Sequence, residues 1–277
     1  MTLPNLFEYN RDAPLDLRAA GQRDEDGVLS RNFTYVTPFG ERRAAYLFRP
    51  NATKEPLAAI LYVHWYEPES PDSNRTQFVG EAQRMAKRGA AALLIETMWS
   101  DRDWFIKRTQ ADDERNSTRQ VIELRQAVDL LLAEPGVDAR RLAYVGHDFG
   151  AMYGVLMGSV DPRPACYVLM AGTPRFPDWY LYSPRLEGEE RETYIKTMAP
   201  LDPIAHVAQL APAPLLFQFG RDDPHVSEER ALAFYAAAQE PKQIRWYEAG
   251  HELNQEAERE RIEWLAAQLS LIQTMEQ

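Results

Sequence analysis

The stretch that most limits the folds open to this chain is Leu142-Ala143-Tyr144-Val145-Gly146-His147-Asp148-Phe149-Gly150. Four apolar residues suited to a buried strand run into a glycine-flanked turn, and a helix-like run of small residues starts near Phe149. A strand that turns this sharply into a helix needs the room that Gly146 and Gly150 leave, and it holds the central side chain out into a pocket. Serine is the usual occupant of that centre; here it is Asp148. Taken alone, Asp148 would also suit an N-cap of the following helix.

The rest of the chain alternates in the way such a turn requires. Phe33 and Tyr35 alternate with polar neighbours, residues 38–41 (Pro-Phe-Gly-Glu) supply a turn, and residues 44–48 extend again, which is a hairpin pattern. Residues 57–63 are nearly all apolar, as a strand buried on both faces should be. A helix is predicted over 76–88 with Gly89 as its C-terminal stop, a strand over 90–95, and a helix over about 115–133 that ends before Pro135-Gly136. Val121, Leu124, Val128, Leu131 and Leu132 share one face of that helix. A strand at 141–145, a helix at 149–159 and a strand at 166–171 follow. Residues 172–212 form a Pro- and aromatic-rich excursion. A strand at 215–219, a helix at 227–238, a strand at 244–247 and a helix from about 254 close the chain. Repeated β–α units after a hairpin predict an α/β fold, a mostly parallel sheet flanked by helices. Residues 1–30, polar and rich in Asp, Arg and Pro, are expected to wrap the surface as an irregular arm.

Composition narrows the function classes. The 277 residues are 45% hydrophobic and 26% charged, enough for a large core, and one domain spanning 1–277 is expected. A formal charge of -11 argues against nucleic acid and against anionic membranes. Cys166, the one cysteine, lies in an apolar run and has no partner for a disulfide. The first 17 residues lack a basic segment followed by an apolar one, and no apolar run approaches the roughly 18 residues that span a bilayer. A cytoplasmic protein, monomer or homodimer, with a small-molecule substrate is expected. Neither metal-ligand spacing nor a phosphate- or dinucleotide-binding glycine pattern occurs, so no metal and no cofactor are expected.

Three loops at strand C-terminal ends carry the chemistry. Asp148 follows one strand, residues 220–226 (Gly-Arg-Asp-Asp-Pro-His-Val) follow a later one, and Ala249-Gly250-His251 follows the last. In an open α/β sheet such loops share one crevice. The order nucleophile, acid, base resembles the α/β-hydrolase superfamily from about residue 31 onward. The layout is similar to its dienelactone-hydrolase-like branch, with a small excursion over the active site. The turn Gly-His-Asp-Phe-Gly resembles the epoxide hydrolases and dehalogenases, which place Asp at this point. The resemblance implies Asp148 as nucleophile, His251 as base and Asp223 as acid, with Asp222 the alternative acid. It implies oxyanion donors at the backbone N–H groups of Phe149 and Trp65. His64, Trp99, Trp179, Tyr180 and Tyr182 are candidate substrate-binding residues; Tyr194, in the excursion, is a further candidate donor, and Trp104 a further candidate for an aromatic pocket or halide cradle.

Aspartate suits one chemistry better than another. Attack of a carboxylate on an ester would give an anhydride, a more reactive acyl donor than the ester itself. Attack on an sp³ carbon displaces halide or opens an epoxide and leaves an ordinary ester, which His251 and water then hydrolyse. The leading expectation is therefore a cofactor-independent hydrolase of epoxides or halogenated small molecules. One alternative is an esterase or lactonase in which Asp148 is not a nucleophile. Another is an inactive ligand-binding homologue.

Overall fold

The computed structural model describes residues 3–271. Its strands are β1 (Arg18–Glu25), β2 (Val28–Val36), β3 (Arg42–Pro50), β4 (Leu57–Val63), β5 (Ala90–Ile95), β6 (Val137–His147), β7 (Cys166–Met170), β8 (Leu215–Gly220) and β9 (Lys242–Tyr247). Its helices are α1 (Leu3–Leu6), α2 (Val79–Lys87), α3 (Trp104–Lys107), α4 (Asp113–Leu132), α5 (Phe149–Val160), α6 (Pro177–Tyr180), α7 (Gly188–Met198), α8 (Glu228–Ala237) and α9 (Gln255–Gln268). The strands form one sheet in the order β1-β2-β3-β5-β4-β6-β7-β8-β9. The first hairpins and the β3–β5 pair are antiparallel, and from β5 through β4 to β9 the sheet is parallel.

β4 shows why the central strands read as continuous apolar runs. Every one of its residues is buried. Leu57, Ala59, Leu61 and Val63 face one core with Val121, Leu124 and Val128 of α4 and Met152 of α5. Ala58, Ile60 and Tyr62 face a second core with Ala82 and Met85 of α2 and Leu265 of α9. Side chains alternate across a strand, so a strand covered by helices on both sides must be apolar at every position. A buried polar knot ties the second layer to the sheet. Arg261 of α9 donates Nη2–H to Glu81 Oε2 of α2 at 2.5 Å and Nη1–H to Gln218 Oε1 of β8 at 2.9 Å, and Tyr62 donates to Glu81 Oε1 at 3.1 Å. Removing one member of such a pair strands a buried charge, at a typical cost of about 3–5 kcal/mol.

The irregular arm expected over residues 1–30 is corrected from Arg18 onward. β1 pairs with β2 antiparallel from Arg18↔Thr34 to Glu25↔Val28. The loop between them is Asp26-Gly27, both at positive φ (51° and 78°), a two-residue hairpin turn whose twist matches the flanking strands. The residues of β1 are exposed on both faces, so the strand carries no apolar alternation. Its Asp-Gly turn was the available signal. β6 also begins earlier than expected, at Val137. Elsewhere the observed elements lie within a few residues of expectation, including Gly89 at φ 99° just beyond the C-cap of α2. Among the described residues, no helix is long and apolar enough to cross a membrane.

Candidate active site

The turn after β6 has the strained shape its sequence demands. Asp148 sits at φ 54°, ψ -115°, a backbone region that non-glycine residues rarely adopt. A methyl group on Gly146 would lie 2.3 Å from the carbonyl oxygen of Gly150, and one on Gly150 would lie 2.2 Å from that of Val63. Both glycines are thus required by close backbone approach. Asp148 occupies the N-cap position of α5 yet makes no capping hydrogen bond with its side chain. The capping explanation for this residue therefore falls away.

The loops after β8 and β9 meet this turn. His251 donates Nδ1–H to Asp223 Oδ2 at 2.8 Å. The second carboxylate oxygen, Oδ1, accepts the backbone N–H groups of His225 at 2.8 Å and Val226 at 3.0 Å. A carboxylate only accepts, so the shared proton resides on Nδ1 and Nε2 is left as the basic nitrogen. Burial alone would raise the Asp223 pKa, but these donors and the nearby imidazole hold it below the ordinary carboxyl value. Burial alone would lower His251, but the Asp223 hydrogen bond and the charges of Asp148, Asp223 and Glu252 bring its net shift upward. Asp222 is exposed and points no hydrogen bond at His251. Of the two candidate acids, the one paired with His251 is Asp223.

Asp148 is 2% exposed. Burial raises its pKa to about 7, against the lowering effect of His251 and of the backbone N–H groups of Phe149 and Tyr66. Its Oδ1 and Nε2 of His251 are both buried and have no hydrogen-bond partner. Both residues line one cleft of about 550 Å³ with Trp65, Tyr66, Glu67, Phe105, Phe149, Trp179, Tyr182 and His225 among its walls. An unpaired buried acceptor and an unpaired buried imidazole nitrogen thus belong to two residues of the same cleft.

The structure redraws several expected roles. Trp65 does not offer its N–H to the cleft, because that group donates to Gln77 Oε1 at 3.2 Å. The backbone N–H groups of Phe149 and Tyr66 lie near enough to lower the Asp148 pKa, although neither makes a hydrogen bond to its carboxyl. His64, with its Nδ1 set 2.6 Å from the Trp65 carbonyl, is buried and shapes this loop, and burial lowers its pKa to about 4. Trp99 is fully buried and donates Nε1–H to the His64 carbonyl at 3.0 Å. Tyr180 is buried with its hydroxyl 2.5 Å from that of Tyr153. None of His64, Trp99 and Tyr180 lines the cleft, so their expected contact with substrate is corrected to packing beneath it. Tyr194 is likewise spent, donating to Asp113 Oδ2 at 2.7 Å. Trp179 and Tyr182, from the 172–212 segment, do line the cleft.

Two residues not expected from sequence hold the loops together. His147 accepts at Nδ1 from Gln77 Nε2 at 2.6 Å and donates Nε2–H to the His251 carbonyl at 2.8 Å. Burial, and the proximity of His251, keep its pKa well below the ordinary value, consistent with a neutral ring. Gln77 thus joins the loop after β4, the turn after β6 and the loop after β9. The Trp65 ring covers this junction, with centroids 4.3 Å from His147 and 5.3 Å from His251. His147 lies within the motif, but only its contacts reveal a role; Gln77 has no sequence signal.

This arrangement is one seen in known folds. No protein-family model matches the chain, and no curated protein does so in sequence. Among solved structures, it is similar to an acetyl xylan esterase from Paenibacillus sp. R4, at a TM-score of 0.79 and 17% identity over 96% of this chain and 92% of that one. Acetyl xylan esterase 1 from a Thermoanaerobacterium species gives 0.74 and 17% over the same shares. A Klebsiella pneumoniae protein classed with the dienelactone hydrolases gives 0.64 and 18%, over 88% and 99%. The chain has an α/β-hydrolase fold.

Proposed function

We propose that the protein is a cofactor-independent hydrolase in which Asp148 is the nucleophile, His251 the base and Asp223 the residue that orients and charges the base. The observation that carries this reading is the placement of the buried Asp148 carboxyl, its Oδ1 without a partner, at the same cleft as the His251–Asp223 pair. The nearby backbone N–H groups of Phe149 and Tyr66, which pull the Asp148 pKa down, suit an oxyanion that forms on this carboxyl, which is what hydrolysis of an ester on this side chain produces. Each such donor contributes on the order of 3 kcal/mol to barrier lowering in enzymes that use one.

The steps balance as follows. An ionised oxygen of Asp148 attacks an sp³ carbon; the new C–O bond forms as the carbon–halogen or epoxide C–O bond breaks, its electron pair leaving with the halide or oxygen. Water then gives a proton to His251 Nε2 and its oxygen adds to the carbonyl carbon of the Asp148 ester. The tetrahedral intermediate, with its charge toward Phe149 and Tyr66, collapses and expels the alcohol oxygen, which takes the proton back from His251; Asp148, left protonated by the second hydrogen of the water, loses that proton to solvent when a halide has departed or to the alkoxide of an opened epoxide. The unpartnered indole N–H groups of Trp65 and Trp179 at the cleft are donors for a departing anion.

A second reading, ester or lactone hydrolysis with Asp148 as a base or water-positioning group, is favoured by the names of the similar solved structures, two acetyl xylan esterases and a dienelactone hydrolase. A carboxyl raised to about 7 is well matched to base catalysis near neutral pH. His251→Ala separates the two. Incubated with epoxides, alkyl halides and short esters, this variant should accumulate a covalent adduct on the peptide containing Asp148, read by mass spectrometry. Turnover by the wild type of a substrate that leaves no adduct on the variant favours the second reading. Asp148→Ser should then retain or gain ester hydrolysis, whereas the first reading expects it to abolish turnover.

A further inference from the structure

Apart from its titratable histidines, the cleft carries charge of one sign. Glu67, Glu69 and Glu252 line it, and no lysine or arginine does. Basic residues on neighbouring segments are engaged elsewhere: Lys107 pairs with Asp101 and Asp103, Arg221 with Glu248, and Arg230 with Asp178. Arg102 donates Nε–H at 3.0 Å to the carbonyl of Pro68, a lining residue, and is not itself part of the lining. Among the described residues none of the three glutamates forms an ion pair. Glu67 Oε1 accepts only the Glu69 backbone N–H, at 3.1 Å. Glu252 folds back over the loop of the base, so that a methyl on Gly250 would meet its Oε2 at 2.8 Å.

Aromatic faces stand beside these carboxylates. The Trp179 ring lies 5.7 Å from Tyr182 and 5.2 Å from His225, centroid to centroid, and Tyr66 stacks on Phe105 at 6.0 Å. Carboxylates combined with aromatic faces are the recognition chemistry of alkylammonium groups. At the floor, Asp148 Oδ1 is a buried acceptor without a partner, an independent mark of where a ligand's atoms sit.

We propose that the substrate carries a positively charged alkylammonium group, held by Glu67, Glu69 and Glu252 against the faces of Trp179 and Tyr182, with its reacting carbon over Asp148. This rests on the reading of the cleft as a substrate site and narrows it: haloacids and carboxylate-bearing lactones are disfavoured. Low-dielectric walls lined by like charges focus a field that attracts cations and repels anions, and salt weakens it.

Three unreactive compounds of similar shape test the charge directly: choline, neutral 3,3-dimethylbutan-1-ol and anionic 3,3-dimethylbutanoate. Binding to the full chain is followed by tryptophan fluorescence and calorimetry. Choline should bind roughly tenfold more tightly than the alcohol, and the alcohol roughly tenfold more tightly than the carboxylate. The choline-to-alcohol ratio should shrink at high salt and in the combined Glu67→Gln, Glu69→Gln, Glu252→Gln variant. Equal affinities, tightest binding of the carboxylate, or a ratio unchanged in that variant would overturn the proposal. Turnover is a separate arm, using an ammonium-bearing epoxide, alkyl halide and ester with their neutral counterparts. If none is turned over while the binding order holds, the hydrolase reading fails and the charge preference stands.

Discussion

His251 Nδ1 and Asp223 Oδ2 lie 2.8 Å apart, and the other oxygen of Asp223 is held by two backbone N–H groups of its own loop. The carboxylate therefore cannot rotate away without giving up two hydrogen bonds, and it fixes the imidazole with Nε2 toward the cleft. Asp223→Asn should keep the fold and lower kcat by roughly 10³–10⁴-fold, because the amide stabilises the wrong tautomer. Asp222→Asn, at an exposed position, should stay within about twofold of wild type by the same comparison. Parallel kinetics on the two variants decide between them.

The ionisation of Asp148 sets the pH dependence. The proposed attack needs the carboxylate, and its pKa is raised to about 7 by burial. The upward shift of His251 sets a separate ascending limb in kcat, since the second step needs a neutral imidazole. A plot of kcat/KM against pH should thus climb through an ascending limb near pH 7 and fall about tenfold per unit on its acid side. A flat profile from pH 5 to 8 would contradict these roles.

The same group destabilises the fold at high pH. Its folded-state pKa, about 7, lies above the ordinary value of 3.8, so between these the folded protein binds the proton more tightly than the unfolded chain. Stability from this group is lost as pH rises through that window, at up to about 1.4 kcal/mol per unit. Asparagine carries no charge and tolerates the positive φ at this position. Asp148→Asn should raise the unfolding free energy by a few kcal/mol at pH 8, with the gain fading toward pH 4. Urea unfolding at the two pH values reads this out.

The turn itself admits no side chain at its glycines. Gly150→Ala would drive a methyl into the Val63 carbonyl and should cost about 3 kcal/mol or more. Gly21→Ala, with nothing within 4 Å, should change stability by less than about 0.5 kcal/mol. Chemical denaturation of both variants checks the contrast.

Gln77 is expected to matter out of proportion to its distance from any reacting atom. Gln77→Leu leaves the Trp65 N–H and His147 Nδ1 without their partner, and unpaired buried polar groups cost about 1–3 kcal/mol each. The variant should lower kcat more than it raises KM, since the loops after β4 and β9 lose their common tie. Gln77→Glu, which keeps an acceptor for Trp65, should recover part of the loss. If both variants alter stability alone and leave the kinetics untouched, the role is structural only.

The parts legible in the sequence are those where burial dictates residue type. β4, β6 and α4 were readable because helices on both sides of the sheet demand apolar residues at each strand position and one apolar helix face. The turn at Asp148 was readable because two backbone contacts admit only glycine. β1 was not, since its exposed faces impose no pattern and only Asp26-Gly27 marked it. Within the site, Asp223 and His251 followed from their places after β8 and β9. Which amide after β4 faces Asp148 depends on how the loop turns. His64 and Gln77 set that turn through contacts 1 and 12 residues from Trp65. Trp99 and Tyr180 are buried by the aromatic cluster around Phe149, whose ring lies 5.7 and 5.6 Å from theirs, and residue type alone does not distinguish such packing from a cleft wall.

The central claim, a covalent ester on Asp148, is tested most directly by a single turnover in ¹⁸O-labelled water with any substrate the wild type hydrolyses. The mechanism places the labelled oxygen in the Asp148 carboxyl and the enzyme's own unlabelled oxygen in the alcohol product of that turnover. Peptide mass spectrometry should find Asp148 heavier by one ¹⁸O. Label appearing only in the product, with Asp148 unchanged, would contradict the account.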